Sequence, residues 1–208
     1  MIPFDTLILF ATASVALGLA PGPDNIFVLT QSAVHGRLAG LFVTLGLMTG
    51  ILVHTALVAV GVAAIFQTSV VAFTALKFVG AAYLVYLAVK AFRAGAETIE
   101  GVGTTPKPLH MLYGTGVVMN VTNPKVAIFF LAFLPQFADP ELGPIPVQIF
   151  QLGLVFVLSS FAVFGTVAVL AGSLGGWLRR KPQAQIYLNR FAGAVFLALA
   201  ARLITTSR

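Results

Sequence analysis

An all-α integral membrane fold is the architecture this sequence predicts: six transmembrane helices as two inverted three-helix repeats, the first and fourth helices broken at proline motifs. Three observations carry that reading. The 208 residues are 59% hydrophobic and only 9% charged, with a mean hydropathy of +1.00, whereas a soluble domain carries about a quarter charged residues. Two apolar runs of membrane length are interrupted by prolines with a single charge beside each break. They read Ala20-Pro21-Gly22-Pro23-Asp24-Asn25 and Asn120-Val121-Thr122-Asn123-Pro124-Lys125. Finally, Phe78-Val79-Gly80-Ala81-Ala82-Tyr83-Leu84 recurs as Phe191-Ala192-Gly193-Ala194-Val195-Phe196-Leu197, and the same offset brings Lys77 onto Arg190.

Each element follows from apolar length and from the breakers between runs. A helical span needs roughly 20 apolar residues, so six spans and short loops use the whole chain and leave no room for an extramembrane domain. The first span covers about residues 4–20, a retained span because Asp5 is the only charge before it, where a signal peptide needs cations. The broken segment 21–35 follows it. The second span is about 38–66, the third 70–92, with a very short turn at 67–69. Residues 94–110 form the one long polar linker, with Glu97, Glu100 and Lys107 among Gly, Thr and Pro. The fourth span runs from 111 through the Asn-Pro-Lys break to 134. A stretch at 135–146, with prolines at 135, 140, 144 and 146, is expected to be loop, too proline-rich for helix. The fifth and sixth spans are about 147–174 and 186–204. The whole is one membrane domain, with repeat one at about 1–93 and repeat two at about 111–208. Because three spans is an odd number, the second copy must enter the membrane from the opposite side.

Composition also excludes chemistries. The chain has no cysteine, which removes disulfides, thiolate metal sites and dithiol redox work together. A net charge of +6 reports loop orientation in a membrane protein and gives no reason to expect nucleic acid. Odd-numbered loops hold Arg37, then Lys90, Arg93 and Lys107, then Arg179, Arg180 and Lys181. These loops are expected on the cytoplasmic side, with both termini periplasmic and Trp177 as an interfacial anchor. Paired carboxylates or a His-rich site, which a lipid-acting membrane enzyme would want, do not occur within the spans, so no catalytic residue and no cofactor is expected. A metal-ion exporter on a related six-helix plan is the alternative to solute transport. It would need clustered ligands, whereas His35, His54 and His110 are scattered along the chain.

Several stretches together resemble the LysE/RhtB family of bacterial amino-acid exporters. Pro21-Gly22-Pro23-Asp24, Gly36-Arg37-Leu38-Ala39-Gly40, Leu45-Gly46, Gly50 and His54 are similar to the family's first signature. Asn120-Val121-Thr122-Asn123-Pro124-Lys125 leading to Phe133-Leu134-Pro135-Gln136-Phe137 resembles its fourth-helix pattern, and Gly80-Ala81-Ala82-Tyr83-Leu84 its third. The match covers nearly the whole chain in the expected order. It implies efflux of amino acids across the bacterial inner membrane in exchange for protons, by a homo-oligomer, and it does not give the substrate.

The candidate substrate site is built on the breaks. A proline removes a backbone donor and expels the carbonyl one turn back, so polar backbone is freed where lipid cannot satisfy it. One break carries an anion and the other a cation, which suits the two ends of a zwitterion. Asp24 is the candidate for the α-ammonium and Lys125 for the α-carboxylate. Asn25, Asn120, Thr122 and Asn123 would line the cavity, and Pro21, Gly22, Pro23 and Pro124 would shape it. Two structural alternatives stand beside this: an Asp24–Lys125 ion pair, or Asp24 capping the helix that starts after Pro23. Asp24 and His54 are the candidate proton-relay groups, His54 because its reference pKa lies near neutral, although a packed, hydrogen-bonded histidine fits the same position. Gly36 with Gly40 and Gly46 with Gly50 read as close-packing pairs. With Asp5 assigned to the terminus, and Glu97, Glu100, Asp139 and Glu141 to loops, Asp24 is left as the carboxylate at membrane depth and a neutral amino acid is the expected solute.

Overall fold

The computed structural model describes residues 2–20, 22–68, 70–95, 106–180 and 182–205. Pro21, Glu97, Glu100 and Lys181 lie outside these residues, as do the side chains of Trp177, Arg179 and Arg180. Helices account for nearly everything described. They are α1 (Phe4–Leu19), α2 (Pro23–His35), α3 (Arg37–Thr68), α4 (Val70–Arg93), α5 (Leu109–Val121), α6 (Pro124–Ile128), α7 (Ile145–Arg180) and α8 (Pro182–Thr205). Four are long and apolar enough to cross a membrane, over Arg37–Gly61, Thr74–Arg93, Ile145–Ala171 and Gln183–Thr205. The count rises to six if each bent pair is one span. The pairs are α1 with α2, bent by 64°, and α5 with the helical stretch Pro124–Phe137, bent by 49°. Both bends fall on the proline motifs.

Local chemistry explains the ends. Pro23 and Pro124 each open a helix, where the missing N–H is one of the unpaired first-turn donors in any case. Gly36 separates α2 from α3 with φ of +87°, a left-handed value that glycine adopts without penalty. A Cβ there would touch nothing, so Gly36 serves the turn and not close packing. Gly40, Gly46 and Gly50 do pack. A Cβ on Gly46 would run into the Tyr113 carbonyl, and one on Gly116 into the Val43 carbonyl, so α3 and α5 touch backbone to backbone.

The stretch 135–146 is not plain loop. After α6 the chain continues as a π-helical turn, Phe129–Phe133, then as 3₁₀ turns Leu134–Phe137 and Pro140–Leu142. Pro135 and Pro140 are admitted because each stands in the first turn of its helix, where no N–H is needed, and Pro144 lies outside any helix. Gln148 braces the segment. Its Nε2 donates to the carbonyls of Asp139 (2.7 Å) and Gly143 (2.9 Å), and its Oε1 accepts from the Asp139 N–H (2.9 Å).

Contacts fix the directions. Gly40 of α3 lies beside Ala168 of α7 and Thr55 beside Gly153, so α3 and α7 run antiparallel. Gly46 meets Gly116 and Gly50 meets Asn120, so α3 and α5 run parallel. Gly193 of α8 packs on Ala88 and Phe92, while Asn189 donates to the Gly95 carbonyl at 3.2 Å, which makes α4 and α8 antiparallel. The core centres on Phe10, whose ring stands 5.1 Å from Phe137 and 6.2 Å from Phe129, with Phe130, Phe133 and Phe156 around them. Outward faces stay apolar, as lipid contact requires: Leu38, Leu45, Leu52 and Leu57 on α3, Phe150, Leu154 and Leu158 on α7.

Candidate functional site

Both breaks meet halfway along α3. Asn120, the last buried residue of α5, packs against Gly50, near the middle of the span Arg37–Gly61. Asn123 turns the chain out of helical geometry (φ −75°, ψ 109°) and caps α6. Its Oδ1 accepts the Lys125 N–H at 3.0 Å, and its Nδ2 donates to Asp24 Oδ2 at 3.0 Å. One amide thus caps a helix in one half of the chain and holds the carboxylate of the other. Asp24 is 3% exposed, and its Oδ1 has no hydrogen-bond partner. Asn120 and Lys125 both act on it electrostatically. Asp24 sits in the first turn of α2, but Gly22 occupies the cap position and no side chain caps that helix. The capping alternative for Asp24 is therefore not the one that forms, because Asn123 claims the carboxylate.

Lys125 reaches back across the molecule. Its Nζ donates to the carbonyls of Ala20 (3.0 Å) and Leu17 (3.3 Å) at the C-terminal end of α1. The reason is in the sequence: Leu17 lies four residues before Pro21, which has no N–H to offer it. The negative end of the α1 dipole adds to the attraction. Gly22 leaves the room, since a Cβ there would stand 3.1 Å from the Lys125 Nζ. The second break repeats the pattern. Asn120 lies four residues before Pro124, and its carbonyl accepts the Asn123 N–H at 3.0 Å and the His54 ring at 3.1 Å. A carbonyl can only accept, so His54 carries its proton on Nε2 there.

Of the residues expected at the site, Asp24, Asn120, Asn123 and Lys125 come together, with Gly22, Pro23 and Pro124 shaping the breaks. Asn25 donates its Nδ2 to the Gly18 carbonyl at 2.6 Å, while its Oδ1 is buried without a partner. Thr122 stands apart: it is exposed, and its hydroxyl donates back to the Val118 carbonyl at 2.8 Å. His54 is tied to Asn120 and packs on Phe130, with ring centroids 5.8 Å apart. The sequence reading missed the carbonyls of Leu17 and Ala20, although counting four residues back from Pro21 finds the first. Among the described residues, no three His, Asp or Glu side chains gather closely enough to hold a metal ion.

Comparison with known proteins follows the same lines. The "Homoserine/homoserine lactone efflux protein" of Salmonella typhimurium is 32% identical over 201 residues, 96% of each chain. The protein of that name from Salmonella typhi matches to the same extent. An "Uncharacterized membrane protein" of Vibrio cholerae is 36% identical over 90 residues, 43% of this chain and 42% of that one. No solved structure matches the chain. The profile of the LysE type translocator family covers residues 15–207, and with it the two proline breaks and the charges between them place this chain in the LysE translocator family.

Proposed function

We propose that this protein exports neutral amino acids across the bacterial inner membrane, as a secondary transporter coupled to protons. The observation that carries the reading is the pair of opposite charges held at two broken helices. Asp24, buried with one carboxylate oxygen unpartnered, is held by Asn123 of the second break, and Lys125 of that break is seated on carbonyls of the first. An intramembrane charge is costly and marks a solute pathway by default. A zwitterion brings one complement for each.

The relatives named for homoserine and its lactone narrow the solute. Those two molecules share an α-ammonium and a carbonyl acceptor, but not a carboxylate. The ammonium is thus the common handle, and the small uncharged remainder suits a site with one buried carboxylate. Six spans are supported by the alternation of directions, with α3 parallel to α5 and antiparallel to α7. Pairing of α4 with α8 is what an inverted repeat would produce. Cationic loops favour periplasmic termini, and the exposed apolar faces leave surface for a homo-oligomer.

The deciding experiment is export from cells loaded with a panel of amino acids, comparing the native protein with Lys125→Ala and Asp24→Asn at equal membrane levels. Homoserine or another neutral amino acid should leave the native cells fastest, and Lys125→Ala should abolish that export. Export by both variants at the native rate would show that neither residue touches the solute. A reporter fused after Arg208 tests the orientation, and activity confined to the cytoplasm would refute it.

A further inference from the structure

The C-terminal end of α1 already holds a primary ammonium, and that ammonium belongs to the protein. Lys125 Nζ donates to the carbonyls of Leu17 and Ala20 at 3.3 and 3.0 Å. The next carbonyl, that of Gly18, is taken by Asn25, and that of Ala16 by the Ala20 N–H. The carbonyls of Leu17 and Ala20, which receive Lys125, are main-chain acceptors that lipid could not satisfy. Around them stand the negative end of a 16-residue helix, the unpartnered Oδ1 of Asp24, and Gly22 with no side chain to crowd the ammonium. The two carbonyls and the carboxylate oxygen are acceptors and the helix end a negative pole, and the position of the cation is filled by a long flexible side chain from the other half of the molecule.

We propose that this nest, the carbonyls of Leu17 and Ala20 with the Asp24 carboxylate, is the binding site for the solute's α-ammonium, and that Lys125 is its resting occupant. The proposal deepens the export reading and rests on it. A substrate ammonium offers the same three donors as the Lys125 ammonium. The substrate's carboxylate or carbonyl gives Lys125 a new acceptor, so the lysine leaves the nest as the solute enters. With a zwitterion, no acceptor is left bare in the exchange and no net charge is buried unpaired. An amine with no acceptor of its own cannot draw Lys125 away and is excluded from the native protein. The site thus selects molecules that carry both an ammonium and an oxygen acceptor close to it.

The test uses the full-length protein in detergent, with methylammonium as the probe and tetramethylammonium, which has no N–H, at equal ionic strength as the control. Lys125→Ala should unfold at a lower temperature than the native protein. Methylammonium should raise the midpoint of the variant by a few degrees, as a ligand that binds only the folded state does, and leave the native midpoint unmoved. Tetramethylammonium should move neither. If Lys125→Ala does not accumulate in the membrane, Lys125→Met keeps the stem's packing without the ammonium and is read in the same way. No methylammonium shift in the variant, or an equal shift in both proteins, overturns the nest. The two readings fail separately: native cells that export no amino acid sink the transport reading, whereas intact export with no methylammonium rescue sinks the nest alone.

Discussion

Replacing His54 separates a brace from a proton relay. Its Nε2 donates to the Asn120 carbonyl at 3.1 Å, a carbonyl that also accepts the Asn123 N–H at 3.0 Å. His54→Leu removes one donor and leaves the Asn123 N–H, so the carbonyl is weakened and not orphaned. A net hydrogen bond is worth about 1 kcal/mol, and side-chain bonds within membrane helices average about 0.6 kcal/mol. Loss of the ring contact with Phe130, at 5.8 Å between centroids, adds about 0.5 kcal/mol or more. The total is about 1–2 kcal/mol, and at roughly 2–4 °C per kcal/mol for a chain of this size the unfolding midpoint should fall by about 2–8 °C. His54→Gln places an amide N–H at about the same reach as the imidazole Nε2. It should recover most of the lost stability and, having no group that titrates near neutral pH, report on coupling. Thermal unfolding in detergent gives the first quantity; export measured with and without an imposed pH gradient gives the second. A brace predicts that His54→Gln exports with the native pH response. A stable His54→Gln protein that still exports but has lost that response would refute the brace and make His54 part of the proton path.

Two further outcomes follow from the packing and the charges. Gly46→Val should prevent membrane accumulation, because any Cβ at 46 collides with the α5 backbone, whereas Gly50→Ala, whose Cβ would stand 2.6 Å from the Asn120 Cβ, should fold and lose export more than stability, as immunoblots of membranes alongside export rates would show. Lysine and arginine should leave cells more slowly than homoserine or threonine, since a second cation would find no second carboxylate among the described buried residues; faster export of arginine than of any neutral amino acid would sink that expectation.

Much of this was legible before any coordinates, and the reason is chemical. Pro23, Pro124, Asp24 and Lys125 are conspicuous because lipid penalises what they do, so four residues marked both the bends and the candidate site. The bend at each break and the gathering of Asn120 and Asn123 around Asp24 follow from that. Partners were not legible. Nothing local says that Lys125 folds back onto α1 instead of pairing only with Asp24, because its reach depends on how two distant segments dock. The π-helical turn at Phe129–Phe133 was invisible for a similar reason: five apolar residues can wind as α or π with no change of pattern. Glycines misled in one place. Gly36 and Gly40 share the spacing of a packing pair, yet Gly36 is a turn residue and Gly40 alone lies against Ser32 and Ala168.

The charges and the breaks also solve each other's problem, and that can be measured. A proline at membrane depth leaves a carbonyl without its helical donor, and a buried donor side chain at that depth lacks an acceptor; each alone costs a few kcal/mol. Here the carbonyl opposite Pro124 receives His54 from the first half of the chain, and the carbonyl opposite Pro21 receives Lys125 from the second. The donors cross between halves, so docking the halves stabilises each break. If that reasoning holds, restoring the missing N–H should make the borrowed donor dispensable. Pro124→Ala supplies a backbone N–H four residues after Asn120, able to take over its carbonyl as α5 and α6 straighten. His54→Leu should then cost less in the Pro124→Ala background than in the native one, a coupling of about 0.5 kcal/mol or more for two groups that share one acceptor. Export should not return with the stability, because straightening the helix moves Asn123 away from Asp24. Additive losses in the double variant would show that His54 stabilises the fold through its ring packing and not through the carbonyl that Pro124 set free.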